Sequence, residues 1–70
     1  MQAELLRKKY PRGTKIILYK MNDPFPIPSL TRGVVDYVDD GGVVHVLWEN
    51  GSSLGIIEGD DQFEVIKERD

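Results

Sequence analysis

Apolar residues in this chain fall in short runs that alternate with a period of two, and clusters of Gly, Pro, Asn and Asp separate the runs. Lys15 to Lys20, KIILYK, sets Ile16 and Leu18 on one face and Ile17 and Tyr19 on the other. A second run, Gly33 to Val38, and a third, Val43 to Glu49, flank Asp39-Asp40-Gly41-Gly42. In the third run Val44, Val46 and Trp48 form a wholly apolar face. Val43, His45, Leu47 and Glu49 form the other, so the first set is assigned to the core. Asn50-Gly51 then leads into a fourth strand, Ser53 to Ile57, with Leu54 and Ile56 inward. Both connections supply residues that tolerate the positive φ of tight hairpins. After the turn Glu58-Gly59-Asp60-Asp61 comes a short fifth strand, Phe63 to Ile66. Either Phe63 and Val65 or Val65 and Ile66 reach the core there.

Two segments depart from this pattern. Residues 2–9 are good helix formers with basic side chains in the last turn, which suits the helix dipole, and Pro11 ends the helix. Eight residues make a marginal helix in isolation, so Leu5, Leu6 and Tyr10 are expected to dock on the strands. Between the first two strands, Pro24 to Pro28 reads PFPIP, which lacks most amide donors and predicts an extended loop. Phe25 and Ile27 either plug the end of a barrel or stand exposed. The order of elements predicts an all-β domain, a small SH3-like five-stranded antiparallel barrel with a short N-terminal helix. An OB-like barrel is disfavoured, because no helix separates the third and fourth strands. The organisation is a helical arm at 1–9, the barrel at 10–67 and a charged tail at 68–70.

With 70 residues and no cysteine, the chain builds one small core without disulfides or thiolate metal sites. No segment approaches the roughly 20 apolar residues that span a bilayer, and MQAELLRKKY is no signal peptide, so a cytoplasmic protein is expected. The net charge of −3 is mild, but its distribution is uneven. Residues 1–20 carry six basic side chains against Glu4 alone, and residues 21–70 carry three against eleven acidic ones.

Several local patterns stand out along the chain: Y-P-x-G-T at Tyr10–Thr14, M-N-D-P at Met21–Pro24 and V-D-D-x-G at Val38–Gly42. H-V-x-W-x-N-G-S-S-L-G at His45–Gly55 and E-G-D-D-x-F at Glu58–Phe63 complete the set. Together they resemble a family of small bacterial domains of unknown function, short Firmicute proteins often found near phage or mobile-element genes. The resemblance covers residues 10–66 and implies an SH3-like fold and an accessory role, with no activity attached.

Candidate chemistry is sparse. His45 has Glu49 along its strand face and Asp36 or Tyr37 on the neighbouring strand, but Ser52 and Ser53 sit on a turn without a nucleophile elbow. A half-exposed histidine in a cross-strand hydrogen bond fits better than a catalytic one. The acids Asp36, Asp39, Asp40, Glu58, Asp60 and Asp61 lack the spacing of a calcium loop, and no glycine set forms a phosphate loop. No enzyme, cofactor or metal is expected. The reading is an interaction module, monomeric or weakly dimeric, that binds another protein through the Met21–Thr31 loop and the hairpin tips. Phe25, Ile27, Tyr37, Asp39, Asp40 and Leu47 furnish the surface. One alternative is nucleic-acid contact through Arg7, Lys8, Lys9, Arg12 and Lys15. Another is an acidic inhibitor of a nucleic-acid-binding protein.

Overall fold

A computed structural model of the chain describes residues 2–67, so the charged tail at 68–70 lies outside the described residues. The helix α1 spans Gln2–Lys9, followed by β1 (Lys15–Lys20), β2 (Arg32–Val38), β3 (Val44–Trp48), β4 (Gly55–Ile56) and β5 (Gln62–Val65). The strands form one antiparallel sheet in the order β4-β3-β2-β1-β5. No hydrogen-bonded ladder joins β4 to β5 among the described residues. The architecture is therefore a five-stranded antiparallel sheet with one short helix, open along the β4–β5 seam.

The alternation in β3 places Val44, Val46 and Trp48 in the core, as their spacing predicts. Ile16 and Leu18 of β1 and Ile56 of β4 join them with no exposed surface. Gly33 lies opposite Trp48, and a Cβ there would fall 2.5 Å from Val46 Cγ1 and 2.8 Å from Trp48 Cε3. The missing side chain makes room for the indole, whose Nε1 donates to the Leu54 carbonyl at 2.8 Å. That contact accounts for one correction: Leu54 offers its backbone to the tryptophan, and its side chain is exposed rather than inward. The fourth strand correspondingly shrinks to Gly55–Ile56.

In β2 the register shifts between Val35 and Tyr37 against β3, so Asp36 is bulged. The extra residue lets Val35 and Val38, three apart, both face the core, while Tyr37 turns outward beside His45. In β5, Phe63 packs on the core and Ile66 is half-buried, but Val65 is exposed at the sheet's edge, against both sequence alternatives. Ala3, Leu6 and Tyr10 of the N-terminal segment are buried, whereas Leu5 is 67% exposed and does not dock. Gly42, at φ 86° in the β2–β3 hairpin, takes a backbone conformation that side chains resist.

Candidate interaction surface

The β2–β3 hairpin is organised around one carboxylate. Asp39 Oδ1 accepts hydrogen bonds from the amides of Gly41 at 2.9 Å and Val43 at 3.0 Å, fixing the loop as an Asx-type turn. Its Oδ2 meets His45 Nε2 at 2.9 Å. The His45 ring lies flat on Tyr37, with centroids 4.3 Å apart and planes 7° apart. The hydrogen bond from His45, then those from Val43 and Gly41, hold the Asp39 carboxyl below its ordinary value of 3.8. Of the partners expected for His45, Tyr37 is present. Glu49 makes no bond to it, and Asp36 instead faces Arg12 at 3.7 Å. No hydroxyl is hydrogen-bonded to this histidine among the described residues, although Ser53 lines the same shallow pocket as His45 and Tyr37. Nor does any group of three or more His, Cys, Asp or Glu side chains among the described residues sit as a metal site would require.

The basic segment is largely engaged within the molecule. Arg7 donates from Nε to the Val38 carbonyl at 3.0 Å and from Nη2 to Asp40 Oδ1 at 2.7 Å. Lys9 Nζ reaches Glu58 Oε2 at 2.6 Å, and Tyr10 donates its hydroxyl to the same oxygen at 2.5 Å. Lys9, then Tyr10, lower the Glu58 pKa from its usual 4.5, and the Lys9 ammonium is raised in return, chiefly by Glu58. Burial first, and then Glu58, raise the Tyr10 phenol. The Tyr10 ring also packs on Phe63 at 5.5 Å, so this one side chain contacts both β5 and the turn that follows β4. A cleft of about 560 Å³ opens between α1, the hairpin tip and Ile57–Glu58. Its two charged walls, Asp40 and Glu58, are the partners of Arg7 and Lys9. The uneven charge along the sequence thus resolves into pairs between head and body. Lys8 is exposed without an ion pair among the described residues, and Lys15 is exposed on β1.

The long loop separates the two residues that the sequence treated alike. Ile27 is 4% exposed and belongs to the core, so it is withdrawn from the binding surface. Phe25 is 87% exposed. The loop around it is pinned. Asp23 Oδ1 accepts from the Phe25 amide at 2.8 Å, Asp61 Oδ1 accepts from Asn22 N at 2.7 Å, and Ser29 donates to the Tyr19 carbonyl at 2.8 Å. Leu30 also projects outward, at φ 70°. Loop and hairpin tip leave β2 from opposite ends, and no hydrogen bond or ion pair joins them among the described residues. With Ile27 in the core, the other five expected contact residues divide into three groups: Phe25 on the loop, Asp39 and Asp40 engaged at the hairpin, and Tyr37 and Leu47 on the outer sheet face. Sequence reasoning missed Val34, Leu47's exposed cross-strand neighbour, because Gly33–Val38 shows no alternation until the bulge at Asp36 is known.

No helix among the described residues is long and apolar enough to cross a membrane. No curated protein matches the chain. No solved structure matches it either. A family match spans residues 1–66, taking in α1, all five strands and every surface residue named above; the chain belongs to the family described as "Domain of unknown function (DUF4314)".

Proposed function

We propose that this chain is a non-enzymatic cytoplasmic interaction module of SH3-like shape that holds another protein through its Met21–Thr31 loop, with Phe25 as the anchor. The SH3-like reading is supported by the strand order, in which four strands follow one another and β5 returns beside β1. Tyr10 packs its ring on Phe63 of β5 and donates its hydroxyl to Glu58, two residues past β4. Phe25 carries the functional reading. A large aromatic ring 87% open to water, between two prolines on a loop tied down at both ends, needs little further ordering when it enters a partner's pocket. Asp39 and Asp40 serve this module by shaping the hairpin and seating the helix rather than by contacting the partner.

The test is an affinity capture from cell lysate with the whole chain and with Phe25→Ala, each with and without nuclease. A stoichiometric protein that survives nuclease and is lost on Phe25→Ala supports the reading. A capture that Phe25→Ala leaves intact rejects it. Capture that vanishes with nuclease also rejects it, and points to phosphate contact through Lys8 and its neighbours.

A further inference from the structure

The outer face of the sheet carries a surface that loop binding does not use. Registered side chains form rows across it: Leu47, Val34 and Lys15 in one, and Glu49, Arg32, Ile17 and Glu64 in the next. Tyr37 stacked on His45 stands at the end nearer the hairpin. Leu47 is 56% exposed and Tyr37 52%, with Val34 beside them also open, so the centre of the face is apolar. Arg32 and Glu49 are backbone-bonded neighbours, Glu49 N donating to the Arg32 carbonyl at 2.9 Å. Neither side chain has an ion pair among the described residues, unlike Arg7, Lys9 and Arg12. An adjacent positive and negative charge beside an apolar strip is a self-complementary pattern, which a patch of single sign is not.

We infer that this face is the interface between two copies of the chain, related by a two-fold axis lying between the faces and parallel to β2 and β3. That operation sets Arg32 of each copy over Glu49 of the other and Val34 over Leu47. The two sheets stack as aligned layers about 10 Å apart. The domain is a slab of 35 × 30 × 19 Å, and a face of that breadth accommodates the total of about 1,600 Å² buried in stable interfaces.

Sedimentation equilibrium on the full chain tests this. The wild type is expected to reach the mass of two chains. Leu47→Glu should return it to one chain with an unchanged far-ultraviolet spectrum, raising the dissociation constant about 30-fold or more. Arg32→Glu alone should weaken the pair about tenfold, and Arg32→Glu combined with Glu49→Arg should recover most of that loss. A one-chain mass up to about 1 mM, the weak end of measurable affinities, overturns the inference. So does a Leu47→Glu dimer of unchanged affinity, or a double charge swap no tighter than Arg32→Glu. Phe25→Ala should leave the mass unaltered, so failure of the dimer and failure of loop binding are read separately.

Discussion

The helix end of the molecule and the outer face of its sheet use the same kinds of side chain to opposite effect. At the helix end, Arg7, Lys9 and Tyr10 each find an oxygen within the chain, on Asp40, Val38 or Glu58. On the outer face, Arg32 and Glu49 lie side by side without a bond between their side chains, and Leu47 and Tyr37 stay open to solvent. A charge answered within its own chain ties the helix to the sheet. A charge and an apolar strip left unanswered are what a partner can use. Loop 21–31 falls on the second side of this division through Phe25 and on the first through Ile27.

The strongest way to break the contrast is to remove the core that both regions share. Trp48→Ala should destabilise the domain by about 3–5 kcal/mol, enough to unfold a chain of this size. A folded variant with unchanged urea midpoint would sink the assignment of the inner face. A smaller effect is expected at the helix end. Tyr10→Phe keeps the ring against Phe63 but removes the donor to Glu58, so equilibrium unfolding should show a loss of about 1 kcal/mol.

The pH dependence of that same latch sharpens the comparison further. Glu58 is lowered in the fold, so its contribution is fully present above 4.5 and is lost as pH falls through its folded value. Tyr10 and Lys9 are raised. Their contributions are present below 10.0 and 10.5 and are lost as pH rises through the folded values. The gap in melting temperature between wild type and Glu58→Gln should therefore be widest in the neutral range and close at both extremes. A gap constant from pH 3 to pH 11, roughly one unit beyond the ordinary values on either side, would count against the latch. The smallest expected effect lies on the exposed side, where Phe25→Ala should move the unfolding free energy by less than about 0.5 kcal/mol. A larger loss would mean that the ring packs on the domain after all.

What the sequence makes legible follows from how local each signal is. Val44, Val46 and Trp48 reveal their face because β3 alternates without interruption, and Gly51 marks its turn because few residues accept φ 86°. The Asp36 bulge is not local. It arises from the pairing with β3, and without it Val35 and Val38 cannot both be placed inside. The same limit hides the destination of the basic segment. Nothing near Lys9 in sequence announces that Glu58 is its partner, and its charge therefore reads as a surface for something else. Phe25 and Ile27, two residues apart in a proline-rich loop, have equal hydrophobic claims on the core, and only the folded loop decides between them.

The reach of the helix contacts also orders events in time. Arg7 waits for Val38 and Asp40, 31 and 33 residues later, while Tyr10 and Lys9 wait for Glu58, 48 and 49 residues later. During synthesis α1 is thus fully held only once the chain has reached Glu58, and an eight-residue helix has little order of its own until then. A chain interrupted before Glu58 contains both strands of the β2–β3 hairpin and the acceptors of Arg7, but lacks the carboxylate that Lys9 and Tyr10 share and the strand that pairs with the free edge of β1.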